Sequence, residues 1–175
     1  MRRIVLVLAL AFIIAGQFAL AEQNTPAPAW PVVTSPTHPD ESEWSGSEAP
    51  EFSWNPVPGA VKYRFALDSN NDTVPGTSNE TDQTAKKYAK TTEGAKWFHI
   101  RACDASGYCG ETEHYKILID SSSPGPVQNL FGLSSDESGI QLFWDAPQDV
   151  SGIRGYTVYR SVSQKISNRD FLPSD

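Results

Sequence analysis

The chain has 175 residues, with 14 Lys and Arg against 21 Asp and Glu, a formal net charge of −7 and only two Cys. So acidic a balance argues against a nucleic-acid partner, which needs clustered Lys and Arg against phosphate. It is compatible with plain solvation or with cation binding.

In chain order, Arg2 and Arg3 precede an apolar run from Ile4 to Ile14, and Ala19-Leu20-Ala21 has the small-x-small pattern of a cleavage site. The run is too short for a membrane span, which takes roughly 20 apolar residues, and Gly16 and Gln17 keep it from extending further. Residues 1–21 are therefore expected to be a signal peptide removed after Ala21. The mature protein is then secreted or held at the cell surface, and meets a membrane only through export. No Cys stands at the cleavage point, which argues against a lipid anchor. Residues 22–31 carry Pro26, Pro28 and Pro31 and read as an extended Pro-rich linker.

The next stretch, 32–121, is a succession of short strands with period-two alternation. Phe52 and Trp54 share a face. Val61, Tyr63, Phe65 and Leu67 point one way, with Lys62 and Arg64 opposite; Phe98, Ile100 and Ala102 point inward, with His99 and Arg101 outward. Tyr115, Ile117 and Ile119 form a last inner face against His114, Lys116 and Leu118. Such alternation means one face buried and one wet, as in antiparallel sheets. Residues 77–96 are rich in Thr, Asn and Asp and read as loop and edge strand. The run Ser121-Ser122-Ser123-Pro124-Gly125-Pro126 is a boundary, with 122–126 as a second linker. Beyond it Val127 and Leu130, then Ile140, Leu142 and Trp144, then Tyr156 and Val158 predict three further strands. After Arg160 only Ile166, Phe171 and Leu172 punctuate a polar stretch.

One statement occurs twice. Phe52-Ser53-Trp54-Asn55-Pro56, Gly59 and Tyr63-Arg64-Phe65 reappear about 90 residues later as Leu142-Phe143-Trp144-Asp145-Ala146-Pro147, Gly152 and Tyr156-Thr157-Val158-Tyr159. That interval is the size of one β-sandwich module. Residues 124–160 resemble the first half of a fibronectin type III domain, through Pro126-Val127-x-Asn129-Leu130, Ile140-x-Leu142-x-Trp144-Asp145-x-Pro147 and Gly155-Tyr156-x-Val158-Tyr159-Arg160. Residues 32–121 resemble the immunoglobulin-like, fibronectin-III-like repeats of large prokaryotic secreted and surface proteins. The matching text there is Ser35-Pro36-x-His38-Pro39, Pro50-x-Phe52-Ser53-Trp54, Trp97-Phe98-His99-Ile100-Arg101-Ala102-x-Asp104 and Ile117-x-Ile119-Asp120. The resemblance implies an all-β chain: one antiparallel sandwich over 32–121, then an incomplete second sandwich over 127–175, with residue 175 falling inside the second module. Two departures stand out. Where the family places a corner-tying Tyr, six residues before Ala102, this chain has Lys96; and the usual repeat lacks the cysteine pair.

Cys103 and Cys109 bracket Asp104-Ala105-Ser106-Gly107-Tyr108, a hairpin turn between strand signals, and two cysteines in an exported chain are expected to pair. The chain-entropy model gives about 2.4 kcal/mol for so short a loop. The string His99, Cys103, Cys109, His114 has zinc-ligand types. At about 3.3 Å per strand residue, however, His99 and Cys103 are roughly 13 Å apart, too far for one ion. Asp68, Asn70 and Asp72 place oxygen ligands at alternate positions of a calcium-type loop, without the downstream Gly and Glu of an EF-hand; calcium is the one cofactor the sequence suggests. Trp44 and Tyr108, and Trp30 with them, sit in loop contexts and offer faces for a sugar ring. Asn71-Asp72-Thr73 and Asn79-Glu80-Thr81 are glycosylation acceptor patterns.

No catalytic residue stands out. There is no Gly-x-Ser-x-Gly, His-Glu-x-x-His or phosphate loop, no carboxylate pair stands in an apolar setting, and His38, His99 and His114 read as solvated. The expectation is a non-catalytic modular scaffold whose partner is an extracellular protein or glycan. Accessory modules ahead of an exported glycoside hydrolase or peptidase, with its catalytic domain past residue 175, are the first alternative. A carbohydrate-binding module is the second.

Overall fold

A computed structural model of the chain describes residues 26–135 and 139–160. The expected signal peptide lies outside the described residues, as do Ile166, Phe171 and Leu172. The described residues are all-β and contain no helix. The strands are β1 (Val33–Thr34), β2 (Trp44–Ser45), β3 (Glu51–Trp54), β4 (Lys62–Asp68), β5 (Glu80–Thr81), β6 (Ala85–Lys87), β7 (Gly94–Cys103), β8 (Glu113–Ile119), β9 (Gln128–Ser135) and β10 (Gly139–Asp145).

The first eight strands make two layers. One is a three-stranded antiparallel sheet in the order β1-β3-β6; the other has five strands in the order β2-β8-β7-β4-β5. All pairings in the second are antiparallel except β2 with β8. The alternating residues meet between the layers. Phe52 of β3 stacks on Phe98 of β7 with centroids 4.2 Å apart, and Trp54, 5% exposed, meets the edge of Tyr63 at 5.5 Å. Ile100, Ala102, Ile117 and Ile119 are fully enclosed. Each large side chain taken out of water here contributes about 1.5–3 kcal/mol, which makes a sandwich-like core of this size possible with strands as short as two residues.

Two tyrosines tie loops to this core. The Tyr63 hydroxyl accepts from the buried Val57 N–H at 2.9 Å, and the Tyr115 hydroxyl donates to the His38 carbonyl at 2.7 Å. Lys96, where the resemblance implied a corner-tying Tyr, donates to Ser69 Oγ at 2.9 Å. Of residues 77–96, expected as loop and edge strand, 77–93 form turns and the two edge strands β5 and β6, whereas residues 94–96 open β7, an interior strand of the five-stranded sheet.

Four expectations are corrected. Val61 is 54% exposed rather than inward: it lies one residue before β4, past the edge of the core. Leu118 faces outward as predicted yet is buried, because β2 lies beside it with Trp44 in register. The Pro-rich segment is not a free spacer at its C-terminal end. Pro28 and Pro31 are buried, and a side chain at Gly110 would collide with the Pro28 carbonyl. Finally, residues 127–160 supply two strands, not three. β9 and β10 pair antiparallel, with a register shift between Phe143 and Asp145, and residues 146–160 are irregular. Leu130, Phe131, Leu133, Ile140, Leu142 and Phe143 are all exposed.

Candidate functional site

The outer face of the five-stranded sheet carries the densest polar chemistry. Its register aligns Ala66 of β4, His99 of β7 and His114 of β8 in one row across three strands. Strand alternation sends His99 outward as predicted, but the ring is fully buried rather than solvated. The segment after β4 folds back over it: His99 Nε2 lies 3.0 Å from the Asn70 carbonyl and 3.3 Å from Asp68 Oδ1. A carbonyl can only accept, so Nε2 carries the proton and Nδ1 presents a lone pair. That lone pair faces Nδ1 of His114 at 2.6 Å, with the two rings edge to face. His114 Nδ1 is therefore the donor between them.

The electrostatics reflect burial. Loss of solvent pushes the His99 pKa down; the Asp68 carboxylate opposes that shift and His114 adds to it. Burial pushes the Asp68 carboxyl up, but donors on Asn70 and Thr73 together with the His99 ring hold it below the usual carboxylate range.

Sequence reasoning places these residues in three separate roles, and the structure redistributes them. Of the calcium candidates, Asp68 turns inward to Asn70 N–H, at 2.8 Å, and to His99. Among the described residues no group of three or more His, Cys, Asp or Glu side chains gathers around a common point. Of the four-residue metal string, the cysteines are joined in the expected disulfide, with Cα atoms 4.0 Å apart, while the histidines meet across the β7–β8 ladder. His38 is also buried rather than solvated, at 1% exposure, with Nδ1 2.9 Å from Thr37 Oγ1.

Trp44 and Tyr108 do not converge. Trp44 registers with Leu118, which pairs with Ala95 at the start of β7, whereas Tyr108 stands in the hairpin beyond Cys103 at its end. Eight strand residues, about 26 Å, separate the two levels. A carboxylate pair missed by sequence reasoning does form. Burial, with the Glu41 charge beside it, pushes the Glu113 pKa up, and Glu41 Oε2 accepts from the Lys116 N–H at 2.9 Å. Residues 41 and 113 are neighbours only through the fold, so nothing in their local sequence signals it.

Comparison with models of protein families and with curated proteins returns no match to this chain.

Proposed function

We propose that the chain is a non-catalytic modular region of a secreted or cell-surface protein, built from an immunoglobulin-like module followed by the opening strands of a second module of fibronectin type III kind. Its work is to space and present binding surfaces to an extracellular protein or glycan. The strand order is the observation that carries this reading. In an immunoglobulin constant-type sandwich strands A, B, E and D share one sheet and C, F and G the other. The orders β1-β3-β6 in one sheet and β8-β7-β4 in the other support this reading, since they parallel A-B-E and G-F-C. A disulfide closing the β7–β8 hairpin supports an oxidising compartment, and the Arg2-Arg3 leader with Ala19-Leu20-Ala21 supports export.

The test is export itself. Expressed in a host with a general secretory pathway, the chain is expected outside the cytoplasm, with Glu22 as its first residue by N-terminal sequencing and no titratable thiol. A product kept inside the cell, uncleaved and with two free thiols, sinks the proposal.

A further inference from the structure

We propose that the outer face of the five-stranded sheet binds an anionic glycan: Arg64 and Arg101 take the carboxylate of a uronate-type sugar, and Trp97 and Trp44 stack on rings further along the sheet. Such a site rests on the reading above, that the module presents a surface to an extracellular partner, and gives that partner a chemistry. Three features of the face point to it.

First, its positive charge is only partly compensated. Arg64 of β4 and Arg101 of β7 are direct register partners. Both face outward, because their neighbours Tyr63, Phe65, Ile100 and Ala102 lie in the core. Like charges set directly opposite one another destabilise a sheet. Glu80 answers two of the cations here, meeting Arg64 Nε at 2.6 Å and Lys62 Nζ at 2.9 Å. Among the described residues Arg101 forms no ion pair, and its buried Nε has no hydrogen-bond partner. Burial and the Arg64 charge beside it both work against the charge on Arg101, yet the residue is only half-buried. Three cations against one carboxylate leave two positive charges in excess at this end of the face, in a chain of net charge −7. Asp68, also on this face, is turned to Asn70 and His99. Charge complementarity therefore asks for an anion.

Second, aromatic rings continue the same face. Trp97 lies four residues before Arg101 on β7, about 13 Å along the strand, with Lys116 opposite it. Ser45 pairs with the enclosed Ile119, so Trp44, beside Leu118, faces outward as well. Trp44 is 39% exposed and Trp97 half-buried. Rings of this kind, apolar on the face and set in a wet surface, suit the apolar face of a sugar.

Third, the edges are closed to a peptide. An extended peptide binds by adding to a sheet edge through its backbone. Here both edge strands, β2 and β5, are two residues long. Where β8 runs on past β2, the Lys116 N–H is already taken by Glu41. Contact is left to the side chains of the face. There a planar guanidinium meets a carboxylate through two parallel N–H bonds, which separates an acidic sugar from a neutral one.

The experiment is calorimetry of the purified full chain with an oligogalacturonate, with sulfated and neutral oligosaccharides of the same length, and with an oligoglutamate of the same charge. The oligogalacturonate is expected to bind, more weakly as salt is added, and to change the indole fluorescence. Arg101→Gln removes a charge without an internal partner. It is expected to keep the parent's thermal midpoint and to bind about 10–100-fold more weakly, the usual loss for a hydrogen bond to a charged group. Arg101→Lys keeps the charge but loses the fork, and is expected to bind with an affinity between the two. Trp44→Ala is expected to weaken binding without changing its salt dependence. Binding that Arg101→Gln leaves unchanged would overturn the site, as would the absence of any binding to the parent. Equal affinity for the neutral oligosaccharide would overturn the role of charge. Tighter binding of the sulfated one would overturn the choice of a carboxylate, and oligoglutamate binding as tight as that of the uronate would overturn the choice of a glycan. Because purified chain is titrated, a failure here leaves the export test standing, and a failure of export leaves this one.

Discussion

The same aromatic pair is built twice in this chain, and only one copy is enclosed. Trp54 meets the edge of Tyr63 at 5.5 Å and 68°; Trp144 meets the edge of Tyr156 at 5.1 Å and 67°. The local geometry is nearly identical, yet Tyr63 is 5% exposed and Tyr156 43%. A strand, a turn and a returning Tyr suffice to set two rings against each other. Enclosing them takes a second layer. In the first region β3 and β7 belong to different sheets and press Phe52 on Phe98. Phe131 and Phe143 of the second stack across one hairpin, 5.0 Å apart. A lone two-stranded sheet is marginal in water. The repeat in the sequence therefore encodes an arrangement, and the layer opposite it determines what that arrangement contributes to stability.

The sharpest way to break this comparison is to truncate both tryptophans. Trp54→Ala is expected to destabilise residues 26–121 by about 3–5 kcal/mol, read as a shift of the urea midpoint. Trp144→Ala, in a half-exposed setting, is expected to move that midpoint by less than about 0.5 kcal/mol. Equal effects would mean that the second region contributes to the same cooperative core.

Next in size is the covalent difference. The β7–β8 hairpin is closed by Cys103–Cys109, and residues 127–160 contain no cysteine. Replacing both cysteines by Ser is expected to cost about 2.4 kcal/mol on the chain-entropy model, with the loss seen in thermal unfolding of the first region. An unchanged midpoint would mean that the hairpin is held by its own turn, where Asp104 Oδ1 already accepts from the Ser106 hydroxyl and from the Ser106 and Tyr108 N–H groups.

Period-two patterning makes the faces of the first region legible. Alternation assigns Phe98, Ile100 and Ala102, and Tyr115, Ile117 and Ile119, to the inner face, and all six lie in the core. It tells which way a side chain points, but not what later covers it. His99 reads as wet because nothing in its own strand announces that Asp68 and the Asn70 carbonyl meet its ring. A clue is present in the cysteines. With Cys103 opposite Cys109, counting four residues outward along each strand sets His99 against Glu113. A one-residue offset in the ladder makes the partner His114 instead. The third strand expected at Tyr156 and Val158 fails for the complementary reason: alternation marks a segment as able to pair, while pairing also requires a neighbouring edge in the right place.

The hydroxyls extend the comparison at smaller magnitude. Tyr63→Phe removes the acceptor for a buried Val57 N–H and is expected to cost about 1–3 kcal/mol, the penalty for an unpaired buried donor. Tyr156→Phe, at an exposed ring, is expected to leave the urea midpoint in place. Should both changes be silent, the Tyr63 bond is replaceable by solvent and the loop after β3 is open.

Acid should also separate the two regions, by the smallest margin. All three histidines lie in the first. His38 is 1% exposed and burial lowers its pKa, with the Ser47 backbone opposing the shift only in part. The folded state thus binds this proton less readily than the unfolded chain does. The stabilisation is complete above the unfolded value of about 6.5 and declines as the pH falls below it toward the lowered folded value. Unfolding free energies between pH 8 and pH 5 are expected to fall more steeply for the parent than for His38→Gln, whose amide has no proton to gain. Because His99 is depressed as well, the difference between the two curves, rather than the parent's slope, isolates His38. Parallel curves would show that the ring takes up its proton without leaving the fold. In that case the Tyr115 hydroxyl on the His38 carbonyl, and not exclusion of water from the ring, holds this loop against the sandwich.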